Sequence, residues 1–216
     1  MNVEAFYKER IEAIWADQIK EHPETSNDEI IRIGYAVERE LPCQEVLFIG
    51  MNPAFKPGVD VEHGFFYDVN PPMNDFFKAI VNFNYDTLRH NTPSHHDLLF
   101  VRHTNQKDVE VLLKKGPFKD FLQKQIDLSK EIIRALSPKL IVVLNAGACK
   151  LFNSMFTRVS DEHIEKDIGA YAFEINQITP VLFSSMLSGQ RALDIGSRNS
   201  LSWHIRFILD KLGIKC

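Results

Sequence analysis

Glu45-Val-Leu-Phe-Ile-Gly-Met-Asn-Pro-Ala-Phe-Lys-Pro-Gly58 carries an apolar stretch directly into a turn that holds one uncharged amide, Asn52. Residues 46–49 form a short continuous apolar run, the pattern of a parallel strand covered on both faces. Gly50 then permits close backbone approach, and Pro53 fixes φ and removes a donor, so the strand ends there. Asn52 falls at the carboxyl end of the strand, the edge at which open α/β sheets bind ligands. Taken by itself the segment has a second reading, a turn in which Asn caps nearby backbone groups.

Working outward, apolar runs at residues 98–101, 140–144 and 180–183 read as three more strands, with a short edge piece at 172–175. Helical spacing of apolar residues covers 3–20 and a shorter stretch at 30–38. Phe118, Phe121, Leu122, Gln125, Ile126, Ile132, Ile133 and Leu136 trace a stripe that stops at Ser137-Pro138. Ser200 is the expected cap of a last helix that Gly213 closes. Strands alternating with helices imply right-handed crossovers. The expected fold is an α/β three-layer αβα sandwich around a central, mostly parallel four-stranded sheet, in one domain spanning residues 1–216.

A chain of 216 residues, 44% of them hydrophobic, can bury a substantial core without disulfides or structural metal. Cys43, Cys149 and Cys216 are widely spaced, and the first two read as small core residues of a protein in a reducing compartment. No N-terminal run is apolar enough for a signal peptide or a membrane span, so a cytoplasmic monomer is expected. The net charge of −4 argues against strong nonspecific DNA binding, which needs phosphate neutralisation. Lys56, Arg102, His103, Arg191 and Arg198 are candidates for a local basic rim, and each is equally readable as a solvated charge. His90, His95 and His96 find no Cys or carboxylate at ligand spacing and read as a polar loop, so neither metal nor organic cofactor is expected.

Several segments, in order, resemble the uracil-DNA glycosylase superfamily. Gly50-Met51-Asn52-Pro53 is similar to the water-activating motif of its mismatch-specific and single-strand-selective branches. Gly64-Phe-Phe-Tyr-Asp-Val-Asn-Pro-Pro-Met-Asn-Asp-Phe-Phe-Lys-Ala-Ile80 resembles the mismatch-specific segment in which a Gly and aromatics precede a Pro, an Asn and a helix. Asp97-Leu-Leu-Phe-Val-Arg-His-Thr104 is similar to the second core strand. Ser137-Pro-Lys-Leu-Ile-Val-Val-Leu-Asn-Ala-Gly-Ala-Cys-Lys150 is similar to the third strand and its helix. Val181-Leu-Phe-Ser-Ser-Met-Leu-Ser-Gly-Gln-Arg191 stands where the family has its last strand and DNA-penetrating loop.

The resemblance implies hydrolysis of an N-glycosidic bond in single- or double-stranded DNA, after a damaged base has been flipped from the stack. Asn52 would position the water. Gly50, Met51 and the backbone that follows would meet a base carbonyl, Phe66 or Tyr67 would stack on the base, and His103 would stand at its edge, where the single-strand-selective branch has an Asn. Ser184, Ser185, Ser188, Gly189 and Arg191 would contact phosphates, with Met186 or Leu187 as the wedge. The last motif departs from the family's His-Pro-Ser or Asn-Pro-Ser, having neither His nor Pro. Slow turnover, binding without turnover, and hydrolysis of a small nucleoside-like substrate on an unrelated α/β scaffold all remain open at this point. Asn145, ending the third strand before Ala-Gly-Ala, is readable as an anion position or as a plain N-cap.

Overall fold

The computed structural model describes residues 1–55, 64–65, 75–112, 114, 116–189 and 192–214. In chain order its helices are α1 (Val3–Glu21), α2 (Glu29–Ile33), α3 (Asp75–Leu88), α4 (Gln106–Leu112), α5 (Gly116–Leu136), α6 (Ala146–Met155) and α7 (Ile195–Lys211). The strands are β1 (Ala36–Val37), β2 (Val46–Gly50), β3 (Gly64–Phe65), β4 (Ser94–Asp97), β5 (Leu140–Leu144), β6 (Thr157–Val159), β7 (Tyr171–Glu174) and β8 (Ile178–Ser184). No described helix is long and apolar enough to cross a membrane.

A mixed six-stranded sheet, ordered β4-β2-β5-β8-β7-β6, replaces the expected sheet of four. β4, β2, β5 and β8 are parallel neighbours, and β7 and β6 extend the sheet antiparallel on the β8 side. β2 (VLFIG) and β5 (LIVVL) are buried along their whole length, as their unbroken apolar runs require of strands covered on both faces. Side chains alternate between two helical layers. Val46, Phe48, Val142 and Leu144 pack with Ile80 and Phe83 of α3 and Ile205, Ile208 and Leu209 of α7. Leu47, Ile49, Ile141 and Val143 face Trp15 of α1, Phe121, Ile132 and Ile133 of α5, and Phe152 of α6. Phe48, fully buried, should cost about 3–5 kcal/mol on truncation to Ala.

Three elements differ from the sequence reading. The strand expected at 98–101 is instead β4, the wholly polar and wholly buried Ser-His-His-Asp97 just before it. Residues 98–101 are buried too, but their amides go to irregular partners: Leu98 N–H donates to Gly50 and Leu99 N–H to Met51. Gln125, the polar member of the α5 stripe, accepts from Phe100 N–H at 2.9 Å and Val101 N–H at 3.2 Å. An apolar run reports burial, which a strand and a buried connection share. The helix expected at 30–38 is only α2, because Gly34 at φ 77° leaves the helical region and β1 follows. The last helix starts earlier than Ser200, capped by Asp194, whose carboxylate accepts from Ser197 N–H at 2.9 Å. Cys43, expected in the core, is exposed; Cys149 is half-buried, and burial pushes its thiol pKa up.

Candidate active site at the carboxyl ends of β2 and β5

The strand order makes the chain leave β2 toward β4 on one side, while β5 leads to β8 on the other. Open α/β sheets bind ligands where connections diverge in this way, beyond the carboxyl ends of the two central strands, here β2 and β5. Asn52 follows β2 and Asn145 follows β5.

Asn52 is held in one orientation. Its Nδ2 donates to the carbonyls of Pro53 at 3.0 Å and His103 at 2.8 Å, so its Oδ1 is the remaining acceptor. That oxygen is buried in a side chain 9% exposed and accepts no hydrogen bond among the described residues. Leaving a buried acceptor unmade costs about 1–3 kcal/mol, which a bound water or substrate donor would recover. The turn itself is clamped along residues 98–103: Leu98, Leu99 and His103 donate to Gly50, Met51 and Pro53 at 3.1, 2.9 and 3.0 Å. Among the described residues the N–H groups of Asn52, Ala54 and Phe55 engage no backbone carbonyl.

Gly50 is required by its neighbours. A Cβ there would stand 2.0 Å from Asp97 Oδ1 and 3.1 Å from His95 Nε2. Gly147 is similarly tight, its Cβ position 2.6 Å from Met51 Sδ, and this contact seats the start of α6 on the Asn52 turn. Asn145 is the N-cap of α6: its Oδ1 accepts from Ala148 N–H at 2.8 Å while its own N–H donates to Ser184 at 2.9 Å. It does so at φ 78°, a left-handed backbone that costs a non-glycine residue about 1–3 kcal/mol and recurs at functional sites.

Gly50, Met51, Asn52 and His103 are therefore together. His103 reaches Asn52 through its backbone; its ring Nδ1 is 3.0 Å from Asn105 O, and Nε2 is 3.9 Å from Asp108. Ser184 joins the same sheet end through Asn145. In the loop that follows, Ser185 and Gly189 are exposed, and Met186 and Ser188 are half-buried. Leu187 does not fit the wedge role, because it is only 2% exposed and packs in the α3–α7 core; Met186 is the apolar side chain left on the loop. Arg102 is no part of a basic rim: it is 2% exposed, with its guanidinium 5.0 Å from the Phe55 ring centroid. Phe66, Tyr67, Lys56 and Arg191 lie outside the described residues.

Behind Gly50 lies a buried polar network that the polar-loop reading of His95 and His96 missed. Glu38, following β1, reaches the β4 edge with Oε1 3.3 Å from His95 Nδ1 and Oε2 3.3 Å from His96 Nδ1. On its far side His95 Nε2 lies 3.7 Å from Asp97 Oδ1, and His96 Nε2 is 3.0 Å from Ser129 Oγ. Burial drives the Glu38 carboxyl upward, but the two imidazoles beside it outweigh that and hold it at about 2. Burial pulls His95 toward its neutral form, and the Asp97 and Glu38 carboxylates outweigh it and raise its pKa. Ser129, His96 and Glu38 have the spacing of a nucleophile, base and orienting carboxylate. Ser129 is wholly buried inside α5, so no substrate meets it. The one signal in the sequence was four polar residues set between a loop and an apolar run.

No protein-family model matches the chain, and no curated protein sequence matches it.

Proposed function

We infer that the sheet end beyond β2 and β5 is the active site of a monofunctional DNA glycosylase, hydrolysing the N-glycosidic bond of uracil or a related deaminated or mismatched base. The observation that carries this reading is Asn52: two carbonyls occupy its Nδ2, and its buried Oδ1 is left as an acceptor at the sheet's switch point. An amide oxygen can hold a water without being a strong base, which suffices where the base departs ahead of attack on an oxocarbenium-like sugar. The N–H groups of Asn52, Ala54 and Phe55, which engage no backbone carbonyl among the described residues, would supply donors for the carbonyl oxygen of the departing base, where negative charge develops. Ser184, Ser185 and Ser188 supply hydroxyls for backbone phosphates, and Met186 an apolar side chain for the gap left in the stack. Four adjacent parallel strands flanked by helices on both faces support a uracil-DNA glycosylase-like sandwich.

Binding of nucleic acid without turnover is the second reading. It is favoured by a last loop that has no His between Phe183 and Arg191 and that buries Leu187. One experiment separates the two. The protein in excess is incubated with oligonucleotides bearing uracil, hypoxanthine, xanthine or a G:T mismatch, and abasic sites are then cleaved by alkali. Release from the uracil substrate is expected. No alkali-labile site on any of them, with retained binding by gel shift, overturns the catalytic reading in favour of the second.

A further inference from the structure

Glu38, just after β1, meets His95 and Asp97 of β4 at the edge of the sheet, where their ligand atoms all lie within 4.8 Å of one another. We propose that this cluster binds a divalent first-row cation, Zn2+ foremost, through one imidazole nitrogen and two carboxylate oxygens. The proposal is independent of the glycosylase reading and does not use Asn52.

Three observations carry it. All three residues are buried, which sets them apart from acidic groups scattered on a surface. Glu38 Oε1, in a side chain 8% exposed, forms an ion pair with His95 Nδ1 at 3.3 Å but accepts no aligned hydrogen bond among the described residues, so a buried oxygen faces the cluster with its lone pairs unmet. The spacing is near that of a coordination sphere. Ligands about 2.1 Å from a tetrahedral ion stand about 3.4 Å apart, so a cluster whose ligand atoms lie within 4.8 Å of one another closes on an ion by drawing in by up to about 1.4 Å.

The donor set selects the ion. Two carboxylates balance a double positive charge, and an imidazole among oxygens suits Zn2+, Mn2+ or Fe2+ better than Mg2+, which retains water and prefers oxygen donors. His96, hydrogen-bonded to Glu38 Oε2 and in turn to Ser129, is the support that orients a ligating carboxylate. A cation here would tie the segment after β1 to the end of β4, directly behind Gly50.

The full chain, stripped with EDTA, is titrated with ZnCl2 by calorimetry and then melted with Zn2+ or Mg2+ at matched ionic strength. Expected are one tight site per chain in the micromolar range or below, a Tm that rises with Zn2+ but not Mg2+, and affinity at least tenfold weaker in Asp97→Asn. Co2+ added to the unmutated chain should give a visible d–d band that excess Zn2+ removes. This reading decides the matter where Asp97→Asn does not fold. Absence of heat, Tm shift and Co2+ band on the unmutated chain overturns the site. Undiminished binding by folded Asp97→Asn also overturns it and assigns the metal to exposed pairs such as His163–Asp167.

Discussion

Asn52 donates through Nδ2 to the backbone carbonyl of His103 at 2.8 Å, across 51 positions of sequence. The oxygen and nitrogen ends of this amide are therefore not interchangeable: the donor end is taken up by the fold, and the buried acceptor end accepts no hydrogen bond among the described residues.

Asn52→Ala should lower single-turnover cleavage of a uracil oligonucleotide at least tenfold, each factor of ten being about 1.4 kcal/mol of barrier. Asn52→Asp should lose rate and also Tm, because a carboxylate brings oxygen against the Pro53 and His103 carbonyls where Nδ2 donated. Quench-flow or gel assays with parallel melts give both numbers. An unchanged rate in Asn52→Ala would remove the side chain from the chemistry.

Gly50→Ala should destabilise by about 1–3 kcal/mol, since the new methyl meets Asp97 Oδ1 at 2.0 Å inside a packed sheet. In urea titrations the Gly50→Ala/Asp97→Ala double variant should lose less than the two single losses summed. Strict additivity would show that Asp97 is not the obstacle.

The two apolar residues of the loop after β8 should separate by phenotype. Leu187→Ala removes a core side chain and should cost about 2–5 kcal/mol of stability, with cleavage of duplex and single strand affected alike. Met186→Ala should leave stability nearly unchanged and slow duplex cleavage more than single-strand cleavage, because only the duplex has pairing to overcome. Equal rates on both substrates for Met186→Ala would make the loop ordinary surface.

The Asp194 cap gives an acid-side signature. Hydrogen bonds from Ser197 N–H and Oγ lower its pKa below the ordinary carboxylate value. A depressed folded pKa means the stabilisation is present above the unfolded value of about 3.9 and fades as pH falls through the lower folded one. Asp194→Ala should therefore melt below the parent at neutral pH, with the gap closing as the pH drops under about 4. A gap independent of pH would assign the loss to helix propensity alone.

Sequence made β2, β5, β8 and the short β7 of this sheet visible and hid β4 and β6. β2, β5 and β8 announce themselves as apolar runs, and the α5 stripe runs to Leu136 as its spacing requires, because burial on an ordered element is what such patterns encode. β4 carries no such mark. Its Ser-His-His-Asp is buried only because Glu38 and Ser129, distant in sequence, arrive to meet it. Asn52 was legible as a residue at a strand end, but its orientation depends on the His103 carbonyl, and no local pattern carries a 51-residue contact. Leu187 and Met186 are neighbours of similar character, and only the packing of α3 and α7 says which one turns inward.

The polar edge strand also bears on the order in which the molecule assembles. β7 and β8 are joined by residues 175–177 alone, so their hairpin closes a short loop, whereas β2 and β4 are separated by all of α3. β4 has little apolar surface to drive early collapse, and its buried groups find their partners only once the segment after β1 and α5 are both in place. Docking of this edge should be late on the folding route and its opening the first excursion from the native state, so the Asn52 turn would be carried by the least protected side of the sheet. In native-state hydrogen exchange the amides of Leu98 and Leu99 should then exchange well before those of Ile141 to Val143 at the sheet's centre.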